Sequence, residues 1–158
     1  MKKAVFLSKK AADTQKFAGE LIKKLLKNKP GKKALVLALV GELGAGKTTF
    51  VQGLAKALAV KEKITSPTFV IIKRFNLLAC KHFSNLFHVD CYRLNGPKEL
   101  TSLNFKEIIS RPENIVVIEW AEKIKTLLPK EVIWLKFEWG KKGERKIQKK
   151  ALTKRKAL

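Results

Sequence analysis

The chain has 158 residues, 46% of them hydrophobic, and its 35 Lys and Arg against 13 Asp and Glu give a net charge of +22. That length supports one hydrophobic core, and that apolar content excludes a wholly disordered polybasic chain, which could not repay its ordering entropy. The longest apolar run, residues 34–40, falls far short of the roughly 20 that cross a bilayer, and the apolar stretch at 4–7 is too short for a secretory signal, so a cytoplasmic protein with no membrane association is expected.

Residues 5–7 are a short strand candidate. From 13 to about 27, Phe17, Ala18, Leu21, Ile22, Leu25 and Leu26 recur on one helical stripe with lysines between them, and Pro30 and Gly31 stop that helix. Residues 34–40 are continuously apolar, which suits a strand buried on both faces of a parallel sheet. Residues 41–46 are too glycine-rich for regular structure. A second helix runs from 47 to about 59, carried by Phe50, Val51, Leu54, Ala57 and Leu58. Strands are expected at 68–75 and 85–89, then a helix at 98–103 with Pro97 in its first turn and a short helix at 105–109. Residues 115–118 read as a second fully apolar strand, and 131–139 show partial period-two alternation. Residues 149–158 have too little apolar content to fold alone and read as a basic flexible tail, leaving 1–148 as one domain. Strands alternating with helices predict an α/β fold whose mixed, largely parallel sheet is flanked by helices.

The strongest chemical signal is Gly41-Glu42-Leu43-Gly44-Ala45-Gly46-Lys47-Thr48, a complete GxxxxGK[ST] phosphate loop followed by Thr49. Gly41, Gly44 and Gly46 allow backbone angles that turn amide N–H groups towards phosphate oxygens. Lys47 has the reach for β- and γ-phosphates, and the Thr48 hydroxyl suits magnesium. The helix that follows points its positive end at the anion. Acidic partners are scarce. Asp90 ends the strand candidate at 85–89, and Glu119 ends the apolar strand at 115–118. If both ends lie on the loop's side of a parallel sheet, one carboxylate can hold the metal and the other polarise an attacking water.

Several phosphate-loop classes are disfavoured by what the chain lacks. There is no Asn/Thr-Lys-x-Asp guanine motif, no LSGGQ-type transporter signature, and no arginine-rich lid among the five arginines. Cys80 and Cys91 are expected to be reduced thiols. With His82 and His88 they do not have the spacing of a zinc finger or ribbon.

Four motifs in order, the loop at 41–49, Thr65-Ser66-Pro67-Thr68, His88-Val89-Asp90-Cys91-Tyr92-Arg93-Leu94 and Ile118-Glu119-Trp120, together resemble the TsaE (YjeE) family over residues 4–148. That resemblance implies a P-loop ATPase, binding ATP and Mg²⁺, that is needed for threonylcarbamoyladenosine formation at adenosine-37 of ANN-decoding tRNAs. Its implied partners are the threonylcarbamoyl transferase and its dimerisation partner, of the TsaD and TsaB type, with tRNA met through their complex. Carried onto this sequence, Gly41 to Lys47 would hold phosphates and Thr48 the metal, with Asp90 and Glu119 catalytic or metal-linked. Residues Thr65, Ser66, Pro67 and Thr68 would form a switch-like loop. The start of the first helix, Ala11 to Thr14, would lie by the adenine. Tyr92, Arg93 and Trp120 are candidate pocket or partner contacts. His88 alternates with Asp90 and could orient it. Two features depart from the family pattern: 76–85 lacks its short acidic-glycine turn, and Gly143-Glu144-Arg145 matches its Gly-Arg region only loosely.

The charge is unevenly spread. Residues 1–33 carry +9 and 140–158 carry +8, while the segment with almost all the motifs carries +5. Lys outnumbers Arg 30 to 5, which suits non-specific phosphate attraction better than base reading. Two other readings therefore stand beside the ATPase. One is a small-molecule kinase. The other is a basic nucleic-acid-binding module with a vestigial phosphate loop.

Overall fold

The apolar run before the glycine-rich loop becomes β2 (Leu35–Gly41), and the sheet is built outward from it. The computed structural model describes residues 4–67 and 69–150. Before β2 come β1 (Val5–Ser8) and α1 (Ala11–Leu25); after it come α2 (Lys47–Ala57), β3 (Ile72–Asn76) and β4 (Asn85–Asp90). Two short helices follow, α3 (Lys98–Thr101) and α4 (Phe105–Ser110), then β5 (Asn114–Glu119) and a 3-10 segment (Ala121–Leu127). The chain closes with β6 (Ile133–Trp139), a 3-10 turn (Lys141–Gly143) and β7 (Arg145–Lys149).

The seven strands form one sheet in the order β1-β7-β6-β2-β5-β4-β3. The four central strands, β6, β2, β5 and β4, run parallel, and antiparallel strands finish both edges. This is the mixed α/β fold expected, with helices on both faces. The absence of alternation in β2 has the expected cause. Leu37 and Leu39 pack under α1 and α2, while Val36, Ala38 and Val40 pack under the helices of the opposite face. Strand β5 divides the same way, Ile115 and Val117 to one side and Val116 and Ile118 to the other.

On the first face an aromatic series links the elements. Phe6 stacks on Phe17 at 4.5 Å between ring centres, Phe17 lies 6.2 Å from Phe50, and Phe50 meets Phe137 edge-on at 5.6 Å. Each fully buried Phe contributes about 1.5–3 kcal/mol relative to exposure, so this series is a large part of what holds α1 and α2 against β6. On the second face Leu100, Phe105, Ile109, Ala121 and Ile124 cover β2, β4 and β5.

Three boundaries differ from the sequence reading. Strand β3 begins at Ile72 and not at 68, because the amides of Val70 and Ile71 both donate to the Pro67 carbonyl, and the resulting turn puts Ile71 at φ +64°. Strand β7 was not foreseen, since its one buried apolar residue, Ile147, is hidden among Lys, Arg and Gln. Lys149, assigned to the tail, is the last residue of β7, and residues 151–158 lie outside the described residues. Among the described residues no helix is long and apolar enough to cross a membrane.

Helices α1 and α2 touch backbone to backbone at Gly53, where a Cβ would fall inside the backbone of Gln15. At Gly19, on the other side of the same contact, a Cβ would sit 3.4 Å from the Ala57 methyl, an ordinary separation. Both are helix interior positions, so alanine gains about 1 kcal/mol of helix propensity at either. At Gly53 the overpacking of about 1–3 kcal/mol outweighs that gain. Gly53→Ala is expected to lower the denaturant midpoint and Gly19→Ala to leave it unchanged or raise it. Urea unfolding of the two variants measures the difference, and equal behaviour would refute the close contact.

Candidate functional site

The parallel register brings the chemistry together. Asp90 at the end of β4 sits opposite Glu119 at the end of β5, and Glu119 sits opposite Leu39, two residues before the loop begins. Alternation then points Leu86, His88 and Asp90 of β4, with Ile115, Val117 and Glu119 of β5, to the face that carries α2. The loop turns back over these strand ends. Gly41 lies at φ +150° with the Phe137 carbonyl where a Cβ would be, and Gly46 caps α2 at φ +102°, so side chains are excluded from both positions.

Lys47 opens α2 and is only 4% exposed. Its Nζ donates to the carbonyls of Gly41 at 2.5 Å and Glu42 at 2.8 Å, and lies 4.2 Å from the centre of the Trp120 ring. Burial pushes its pKa down, against the pull of Glu119, Glu122, Asp90 and Glu42. The ammonium is thus held by loop carbonyls and an aromatic face, with no ion pair among the described residues.

Glu119 is 3% exposed and has both oxygens engaged. One accepts the Thr48 hydroxyl at 2.7 Å, and the other lies 2.6 Å from His88 Nε2. A carboxylate only accepts, so Nε2 donates in that bond, and His88 Nδ1 is buried with no hydrogen-bond partner among the described residues. Asp90 accepts the Ser66 hydroxyl on Oδ2 at 2.5 Å and the Tyr92 amide on Oδ1 at 2.9 Å. Next to Glu119, Trp120 takes a left-handed conformation at φ +58°, which lays its indole against Lys47 and 5.0 Å from the Tyr92 ring. Lys123 closes that corner by donating to the Tyr92 carbonyl.

These groups surround a cavity of about 370 Å³. Leu43, Gly44, Gly46, Lys47, Thr48, Thr49, Ser66, Asp90, Tyr92, Glu119 and Trp120 line it, so most of the sequence-derived candidates converge. Others do not. Thr14 is buried in α1 with its hydroxyl on Ser8 at 2.7 Å, Ala11 is exposed, and neither lines the cavity. Arg93 stacks on Phe69 at 4.7 Å, outside the lining. Thr65 is exposed and Pro67 buried beside Ser66, and Thr68 lies outside the described residues.

Two residues take positions that motif reading did not provide. His88 reaches Glu119 on the neighbouring strand and not Asp90 on its own, which requires the β4–β5 register to see. Arg145 lies 3.5 Å from the centre of the Trp139 ring and donates to the Gly44 carbonyl at 3.3 Å, so the loosely matching C-terminal segment does touch the loop. Burial pushes the Cys91 thiol up to about 12, with Asp90 and Glu122 adding to the effect, which makes it inert near neutral pH. Among the described residues no three His, Cys, Asp or Glu side chains group as metal ligands.

A glycine-rich loop from a central parallel strand into a helix, with carboxylates at the two adjacent strand ends, defines a P-loop fold. The structure of Bacillus subtilis YdiB is similar, with a TM-score of 0.70 and 28% identity over 98% of this chain and 88% of that one. The family model described as "Threonylcarbamoyl adenosine biosynthesis protein TsaE" matches residues 8–147. A relative from Treponema pallidum, named tRNA threonylcarbamoyladenosine biosynthesis protein TsaE, is 34% identical over 89% of this chain and 96% of its own length. Relatives of the same name from Nostoc sp. and Bacillus subtilis are 40% and 37% identical, over 72% and 75% of this chain and 68% and 69% of their own lengths. The chain belongs to the TsaE family, which acts in tRNA threonylcarbamoyladenosine biosynthesis.

The buried Lys47 charge has a consequence for stability. Its pKa falls on folding, so the unfolded chain binds that proton more tightly. Stability therefore rises with pH across the window between the lowered value and 10.5. Lys47→Met removes the charge and keeps the bulk. Its melting temperature is expected to equal or exceed that of the parent near neutral pH, with the gap closing as pH rises through that window. Calorimetry over a pH series checks this, and a lower melting temperature at every pH would refute it.

Proposed function

We propose that this chain binds ATP with Mg²⁺ and hydrolyses it as a cytoplasmic subunit of the machinery that adds threonylcarbamoyl to adenosine-37 of tRNAs reading ANN codons. Its partners in this reading are the threonylcarbamoyl transferase and its dimerisation partner, of the TsaD and TsaB type, with tRNA met through the complex. Family membership supports the pathway. The observation that carries the hydrolytic part is the seating of Glu119 between Thr48 at the head of α2 and His88 on β4, with Lys47 and Asp90 in the same cavity.

The residues fit a nucleotide phosphate. Two neutral carbonyls and a ring face are weak partners for a buried ammonium, and a phosphate oxygen makes a stronger, charge-assisted bond with it. Lys47 would therefore exchange Gly41 and Glu42 for β- and γ-phosphate oxygens, while the loop amides and the α2 N-terminus hold the remainder. Thr48 and Glu119 would hold the metal. Magnesium, when bound, supplies the positive charge that offsets charge developing on the phosphoryl oxygens. Asp90 would take the proton or orient the water, with Ser66 and the Tyr92 amide fixing its carboxylate. Residues 65–68 would sense the γ-phosphate through the Ser66–Asp90 bond. Tyr92 and Trp120 would wall the cavity from solvent.

Lys47→Ala is expected to weaken ATP binding about 100-fold or more. Glu119→Ala and Asp90→Ala are expected to bind ATP within a few-fold of the parent and to lose about 100-fold in turnover, the usual scale for removing one electrostatic group. Parental turnover in the Asp90→Ala, Glu119→Ala double variant would sink the carboxylate assignment. For the pathway, tRNA modification is reconstituted with the transferase complex, with and without this chain and its Lys47→Ala variant. Modification that is indifferent to the chain would overturn the reading, and phosphate appearing on an acceptor in place of water would favour a kinase.

A further inference from the structure

Three strands at one edge of the sheet, β6, β7 and β1, are covered on one face only. Their inner residues Leu135, Phe137, Ile147 and Phe6 belong to the core under α1 and α2. On the opposite face, register places Val5, Gln148 and Lys136 in one row and Leu7, Lys146 and Glu138 in the next. Lys150, whose amide bonds to the Trp134 carbonyl, extends the same face. The helices of that side cover β2, β4 and β5 and reach no further than Trp134. Val5 and Leu7 are each 51% exposed, and the side chains of Lys136 and Glu138 are 42% and 44% exposed.

This bare face is positive by excess. Its one carboxylate, Glu138, accepts a bond from Lys136, and that bond, with Lys146 and Lys150 nearby, holds the carboxyl below its ordinary range. Two of the three ammonium groups have no carboxylate of their own here. Val5 pairs with Gln148, so the described ends at Ala4 and Lys150 leave the sheet side by side. A second copy, at +22, has the wrong sign. The occupant that fits is a polyanion. Lysines without arginine on the face suit phosphate oxygens as point charges and not base edges, and the family acts in tRNA threonylcarbamoyladenosine biosynthesis.

We propose that the open face of β6, β7 and β1 binds the phosphate backbone of RNA, through Lys136, Lys146 and Lys150. The inference rests on the family's place in tRNA modification and not on ATP hydrolysis, and the face is separate from the cavity.

The test is tRNA binding by the full chain, followed by fluorescence anisotropy over a series of salt concentrations. A face variant, Lys136→Gln with Lys146→Gln and Lys150→Gln, is compared with a charge-matched control, Lys16→Gln with Lys23→Gln and Lys27→Gln, around α1. The face variant is expected to bind at least about tenfold more weakly, and its log–log salt slope to fall by about 2 to 3, near 0.7–0.9 for each lost phosphate contact. The control is expected to stay within about threefold with its slope unchanged. Lys146→Glu alone, one exposed side chain, is expected to shift binding in the same direction. Equal losses in both triple variants, salt-independent binding, or polyglutamate competing as well as tRNA would each overturn the proposal. Melting temperature and ATP affinity, unchanged in the face variant, separate this outcome from failure of the nucleotide site.

Discussion

A buried carboxylate with both oxygens committed is the constraint on which this molecule depends. Glu119 takes a hydroxyl from α2 on one side and an imidazole from β4 on the other, so one side chain ties the loop helix to two strands of the sheet. An ionised group at this depth is tolerated only when its lone pairs are met, since removing one partner exposes the full cost of desolvation, about 3–5 kcal/mol for a buried charge. The strand that carries it is apolar from Ile115 to Ile118, which drives the charge to the strand's end, where the core gives way to the cavity. His88 completes the arrangement by holding Glu119 in one orientation, with its second nitrogen buried and without a hydrogen-bond partner among the described residues.

The parallel sheet turns that local arrangement into a site. Parallel strands end on the same edge, so β2, β4 and β5 deliver Gly41, Asp90 and Glu119 to one place without any long loop having to find it. Period two then decides which side chains can take part. Residues 86, 88 and 90 share a face with 115, 117 and 119, and that face is the one on which α2 sits. The same geometry that buries Leu86 and Ile115 in the core therefore aims His88, Asp90 and Glu119 at Lys47 and Thr48.

Much of this was legible in the sequence, and the reason differs from element to element. Strands β2 and β5 announced themselves because burial on both faces requires unbroken apolar runs, and the loop because its spacing is set by phosphate geometry. Asp90 and Glu119 could be paired because each ends a strand candidate. What was not legible depended on relations between strands. The partner of His88 is fixed by the β4–β5 register, and alternation within β4 alone points to Asp90 instead. Strand β7 has one buried apolar residue in five, too little pattern to separate it from the lysine-rich sequence around it. The start of β3 was misplaced because Pro67 favours extended neighbours, yet its carbonyl gathers the amides of Val70 and Ile71 into a turn.

The net charge of the chain takes on its meaning from the few charges the interior admits. Among the described residues the buried ionisable side chains, apart from the Cys91 thiol, are Lys47, Asp90 and Glu119, which line the cavity, and His88, which bonds Glu119 from behind it. The other buried polar groups satisfy one another locally: Ser8 with Thr14, and Asn114 with Asn85 and the Ile108 carbonyl. A core so strict about charge forces the surplus of lysines outward, onto helix α1 and the uncovered side of β6, β7 and β1. Interior charge is then set by local pairing within a few ångströms, which salt screens poorly, and peripheral charge by long-range attraction, which salt screens well. The two populations answer to different variables, ligand occupancy for the first and ionic strength for the second, so the chemistry of the cavity and the attraction of the surface can be varied independently in one small fold.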